Sequence, residues 1–118
     1  MLIKDAVGAY GEQVAVDHLT RAGMVVLDRN WRCPQGEIDI VLRDGNTLVV
    51  CEVKTRTSEA FGHPLEGVTE RKAERLRRLA AAWLRARAVH PPEVRIDLVG
   101  VLRPRSGPVQ VEHVRGVA

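Results

Sequence analysis

The sequence predicts an α/β domain with a central mixed sheet, on three observations. Apolar residues recur at helical spacing near the N-terminus, two alternating apolar strands flank Asp44-Gly45-Asn46, and a second helical pattern separates that hairpin from a further strand. A helix between the third and fourth strands implies a crossover connection and a parallel pair. The expected order is helix, three-strand meander, helix, then one or two strands, with both helices flanking the sheet.

At 118 residues the chain is expected to be a single domain, residues 1–118, with a real core but no room for two. Hydrophobic content of 45% and charged content of 28% are ordinary for a globular protein. No unbroken apolar run, that of residues 48–51 included, approaches a membrane span, and MLIKDAVGAYGEQ lacks the apolar region of a signal peptide. The expectation is a cytoplasmic protein with no membrane partner. Cys33 and Cys51 form no CxxC and have no histidine pair nearby, which argues against zinc. The net charge of +3 and pI of about 9.3 are mildly basic. Four aromatics are too few for a base-stacking platform, so any nucleic acid would be held mainly through its phosphates.

Each element has its own signal. From Asp5 to Arg21, Val7, Gly11, Val14, Ala15, His18 and Ala22 share one helical arc, with Glu12 towards its edge and Gly23 as the stop. Residues 24–27 read as a short strand and 28–35, punctuated by Pro34, as a polar turn region. Residues 37–43 alternate, with Ile38, Ile40 and Leu42 expected on one face and Glu37, Asp39 and Val41 on the other. After the hairpin turn, residues 47–54 set Val49, Cys51 and Val53 against Leu48, Val50, Glu52 and Lys54. Residues 55–67 read as a loop, and His63 within it as a turn residue. Thr69 is a plausible N-cap for a helix reaching about Val89, stopped by His90-Pro91-Pro92. Residues 94–102 form a strand and 109–114 a short edge strand carrying His113, whereas His18 is expected in the core.

The hairpin poses the chemical question. A turn at Gly45-Asn46 pairs Asp44 with Thr47, setting Asp39 opposite Glu52 and Glu37 opposite Lys54. A turn at Asp44-Gly45 sets Asp39 opposite Val50 instead, and either register leaves all four charged groups on one face. Charges in a sheet are costly unless paired. Two neighbouring carboxylates suit a hard cation such as Mg²⁺, and a lysine beside them suits an attacking water or a charged phosphate transition state. The plainer alternative is a Lys54–Glu salt bridge on a half-exposed sheet.

Asp39, twelve intervening residues and then Glu52-x-Lys54 resembles the core of the PD-(D/E)xK, restriction-endonuclease-like nucleases, with Ile38 standing where the name-giving proline would be. More closely, GAYGEQVAVDHL, RNWRCPQGEIDIV, LVVCEVKTR, FGHPLEGVTERK and RIDLVGV, in that order over residues 8–101, resemble the YraN family of small bacterial proteins. That family is similar in fold and site layout to archaeal Holliday-junction resolvases. The resemblance implies a restriction-endonuclease-like fold, with Asp39 and Glu52 as ligands of Mg²⁺ (or Mn²⁺), Lys54 as the catalytic lysine, and Glu12 completing the site. It also implies DNA, branched or structured, as substrate, and it leaves a homodimer open.

Beyond that set, Glu37 is expected to support the site or to pair with Lys54 or Arg56. On the second helix Arg71, Arg75, Arg78 and Arg85 align as a stripe suited to phosphates, while Lys72 falls on the apolar arc and should point towards the sheet. Arg56, next to the site, is a further phosphate contact. The rivals to an enzyme are a non-catalytic nucleic-acid-binding module using Arg71, Arg75 and Arg78, and an adaptor in DNA repair.

Overall fold

The computed structural model describes residues 6–57 and 68–117. Helix α1 (Ala6–Arg21) leads into strands β1 (Val25–Cys33), β2 (Gly36–Asp44) and β3 (Thr47–Arg56). Helix α2 (Glu70–Arg87) follows, then β4 (Glu93–Leu102) and β5 (Gln110–Val114). The strands form one mixed sheet in the order β1-β2-β3-β4-β5. β3 and β4 are parallel, as the crossover requires, and the other neighbours are antiparallel. The fold is therefore the expected restriction-endonuclease-like α/β arrangement. The residues read as the 58–67 part of the loop, His63 among them, lie outside the described residues.

The two helices cover opposite faces. On one, Ala15 and Leu19 of α1 pack over Ile40, Leu42, Val49, Cys51, Val99 and Val101. On the other, Leu76, Leu79, Ala80 and Trp83 of α2 pack over Val41, Leu48, Val50 and Ile96. Strand alternation delivers both sets, because successive side chains point to opposite sides. Thr69 caps α2, its hydroxyl accepting from the Lys72 amide at 3.2 Å. The helix closes at Ala88, in the left-handed region at φ 54°, two residues earlier than the prolines suggest.

Three features depart from the sequence reading. β1 runs on through the stretch expected to be a turn, because Asp28 to Cys33 pair with β2 as far as Cys33 opposite Gly36. This is a sheet edge, where polar side chains can stay solvated. The buried stripe of α1 is centred on Gly11, Glu12, Ala15 and Leu19, so Glu12 lies inside it and not at its margin. Finally, Ile38 packs under α2 while Ile40 and Leu42 pack under α1. The alternation of β2 breaks between them, at Asp39.

The α1–β3 seam is tight. A Cβ built on Gly11 would stand 1.8 Å from the Thr55 hydroxyl oxygen and 2.7 Å from its Cβ. Only glycine lets the helix approach this closely. Gly11→Ala should cost about 1–3 kcal/mol through overpacking, read as a lower urea midpoint. Thr55→Ala in the same chain should recover part of it, and full recovery without any second change would show that the seam is loose.

A second constraint lies under α1. Asp97 of β4 is completely buried. Arg95 donates to both its oxygens at 2.8 and 2.9 Å, the Gly116 amide donates at 3.1 Å, and His113 of β5 sits 2.8 Å away. Arg95 also donates to Asp44 at the end of β2. Burial alone would raise the Asp97 pKa, but the bonds from Arg95, His113 and the Gly116 amide outweigh it and hold the carboxyl below its ordinary value. A depressed carboxyl stabilises the fold fully above its unfolded pKa of about 3.9, and that contribution is lost as pH falls through the lower folded value. Asp97→Asn should therefore cost about 2–4 kcal/mol at pH 7. It should also flatten the acid limb of stability below about pH 4, as measured by urea unfolding across that range.

Candidate functional site

The site grows from the point where β2 leaves β3. The turn at Gly45-Asn46 fixes Asp44 opposite Thr47, and the ladder runs from there to Ile40 opposite Cys51. On the outer side, β1 passes from Arg29 opposite Ile40 to Trp31 opposite Ile38, and the intervening Asn30 is left-handed at φ 51°. Asparagine is among the few side chains that tolerate that conformation. The kink turns Asp39 towards β3, where its Oδ2 accepts a hydrogen bond of 2.8 Å from the Val53 amide. A side-chain carboxylate thus takes a place that a ladder carbonyl would otherwise hold. Val53 stands between Glu52 and Lys54, so Asp39 reaches the middle of Glu-x-Lys. The ladder follows the register of a turn at Gly45-Asn46 as far as Ile40 opposite Cys51, and Asp39 is the next residue beyond it.

Glu52 projects beneath α2, following Leu48 and Val50. There Lys72 Nζ lies 2.8 Å from its Oε2 and Arg75 lies 3.6 Å from its Oε1. The Glu52 and Lys72 side chains are only 16% and 19% exposed, so neither charge could stand in this place without a partner. Lys72 points to the sheet as its position on the apolar arc predicts. Arg75, expected on the outer stripe, bends inward to the same carboxylate.

Lys54, two residues beyond Glu52 and beside Gly100 of β4, is exposed. Arg56 is half-buried at the end of β3, its carbonyl accepting from the Arg103 amide at 2.8 Å. Glu12 is buried, 4% exposed, one residue from the Gly11–Thr55 seam and so held against the far end of β3. Glu37 pairs with Arg32, its register partner on β1, at 3.6 Å, and this salt bridge ties down the hairpin. Arg71 is exposed, and Arg78 pairs along its own helix with Glu74 at 3.7 Å.

The local field is negative. The Cys51 thiol is pushed well up by burial first, then by the charges of Asp97, Asp39 and Glu52 around it. Among the described residues no three Asp, Glu, His or Cys side chains form a metal-holding group. The donors present are two carboxylates on adjoining strands, Asp39 and Glu52. That set suits Mg²⁺, which takes one or two protein carboxylates and completes its shell with water and phosphate oxygens, and it does not suit a fully caged ion.

Two functional-looking clusters escaped the sequence reading. Asp97 with Arg95 and His113 gave no signal beyond a lone acid in an apolar strand. Asp28, read as part of a turn, accepts from Trp83 Nε1 at 3.1 Å and pairs with Arg87, binding β1 to α2. No helix among the described residues is long and apolar enough to cross a membrane.

Residues 11–101 match the uncharacterised protein family UPF0102. The chain is 62% identical over 117 residues to a UPF0102 protein of Beutenbergia cavernae, covering 99% of both chains. It is 60% identical over 115 residues to a UPF0102 protein of a Nocardioides species, covering 98% of this chain and 93% of the relative. A third UPF0102 protein, from Kineococcus radiotolerans, is 62% identical over 116 residues, 98% of this chain and 95% of its own. With a match over most of its length and relatives that align end to end, the chain belongs to the UPF0102 family, the YraN family that its ordered motifs resemble.

Proposed function

We propose that the protein is a Mg²⁺-dependent nuclease that hydrolyses phosphodiester bonds of DNA, branched or structured DNA included. The observation that carries this is the Asp39 carboxylate bonded to the Val53 amide, between Glu52 and Lys54. Asp39 and Glu52 would hold the ion. Mg²⁺ supplies Lewis-acid polarisation of the scissile phosphate and lowers the pKa of an attacking water. The exposed Lys54 ammonium, two residues beyond Glu52 and next in β3 to the Val53 that Asp39 binds, is suited to orienting that water or to stabilising charge on the pentavalent transition state.

Lys72 and Arg75 give Glu52 its counter-charge, and their ammonium and guanidinium groups would also suit the phosphate oxygens of a substrate beside it. Arg56, Arg71 and Arg78 extend the cationic surface along a polyanion. Glu12, fixed by the Gly11–Thr55 seam, would support the acids from the α1 side. A pure binding module is the weaker alternative, since carboxylates beside phosphate repel it unless a cation intervenes.

The test is cleavage of linear, flapped and four-way-junction DNA with Mg²⁺, with Mn²⁺ and with chelator. Lys54→Ala and Asp39→Asn should each lower the rate by about 10²–10³-fold or more while DNA binding is retained. Mg²⁺ should raise the melting temperature of the wild type and not of Glu52→Gln. Binding without cleavage on every substrate, together with no Mg²⁺-dependent shift, would reject the enzyme in favour of the binding module.

A further inference from the structure

At the other end of the sheet, α2 stops short. Its last turn ends at Arg87, leaving Val25, Arg43, Leu48 and Val94 aligned across four strands by the pairing of β1 to β4. Partners in a ladder share a face, and Leu48 fixes this face as the one under α2. Four exposed apolar side chains gather here: Val25 at 45%, Leu27 at 43%, Val94 at 44% and Val89, just past the helix, at 42%. They exceed every other large apolar side chain in exposure among the described residues. Leu27, Leu48, Trp83, Val89 and Pro91 line a groove of about 630 Å³. Its charged lining is cationic, from Arg43 and Arg87 with His90 beside them, and no acidic side chain lines it among the described residues.

We propose that this groove docks an acidic amphipathic peptide segment of a partner protein. The row of four strands spans about 14 Å at ordinary strand spacing, a length suited to a short helix or strand laid across it and not to a compact ligand. Apolar anchors of the peptide fill the floor over Leu48 and Trp83. Its carboxylates meet Arg43, whose guanidinium makes a long 3.5 Å bond to the Gly45 carbonyl, and Arg87, which shares its charge with Asp28. An exposed apolar patch with a cationic rim selects such a partner over a basic one. None of the proposed metal-site residues lines the groove, so docking stands independently of nuclease activity.

The experiment titrates the full chain with a short fluorescent helical peptide carrying a leucine stripe flanked by glutamates, and with matched peptides bearing glutamine or lysine in their place. The glutamate peptide should bind saturably and shift Trp83 emission, and the glutamine peptide should bind about tenfold or more weakly. Val89→Asp and Leu27→Asp, at exposed positions, should abolish binding, while Arg43→Glu should reverse the preference towards the lysine peptide. Circular dichroism and an unchanged melting temperature confirm that each variant folds. No saturable binding, or equal binding of the three peptides, overturns the proposal. So does a homodimer that Val89→Asp dissolves, which would assign the groove to a second copy, or adsorption to anionic vesicles that the glutamate peptide does not displace.

Discussion

The hydrogen bond from the Val53 amide to Asp39 is the constraint on which the rest of the site depends. Two antiparallel strands that stay in register through their length have no room for a carboxylate between them. Here the ladder ends at Ile40, the outer strand kinks at Asn30, and Ile38 crosses to the opposite face. The Val53 amide would be left without a ladder partner there, a cost of order 1–3 kcal/mol for a buried donor. Asp39 answers it with a charged acceptor, and charge-assisted bonds are the stronger kind. Fold stability and the position of a candidate ligand are in this way one interaction.

Around that point the charges are arranged in two layers of different character. Under α2 the pairing is made by long side chains: Glu52 meets a lysine and an arginine, one of which is nearly half exposed. Under α1 the pairing is fixed: Asp97 has both oxygens bonded by one arginine, with a histidine and a backbone amide besides, and no exposure at all. The two acids stand on adjoining parallel strands, Asp97 opposite Cys51 and thus one residue out of step with Glu52, on opposite faces. A fully satisfied buried acid holds β2, β4 and β5 in place, so the sheet under α1 does not depend on the partners of Glu52.

Most of the fold was legible in the sequence because it rests on local periodicity. The Asp44-Gly45-Asn46 turn located the hairpin and left two registers, of which the structure takes the one with the turn at Gly45-Asn46, and Lys72 was placed on the inner side of α2 by helical angle alone. The failures share a cause, namely that they depend on neighbours far away in the chain. Asp28-Arg29-Asn30 is as polar as a turn, and becomes a strand only because β2 pairs with it and Trp83 donates to Asp28. The turnover of Ile38 follows from a left-handed residue on the next strand. Arg75 sits at a solvent-facing angle, and only the reach of its side chain brings it to Glu52. For Asp97 a buried acid needs a buried base, and the base was two residues away on the same face, where alternation pairs side chains that sequence propensity treats as unrelated.

Helix α2 joins these observations into one mechanical unit. It lays its first turns, with Lys72 and Arg75, over Glu52, and its last turn, with Trp83 and Arg87, over the apolar end of the sheet. Between them Leu76, Leu79 and Ala80 are buried against β2 and β3, and Asp28 clamps the C-terminal end through two separate donors. The groove under the Trp83 end and the counter-charges of Glu52 are thus carried by one element, held between them by the packing of Leu76, Leu79 and Ala80.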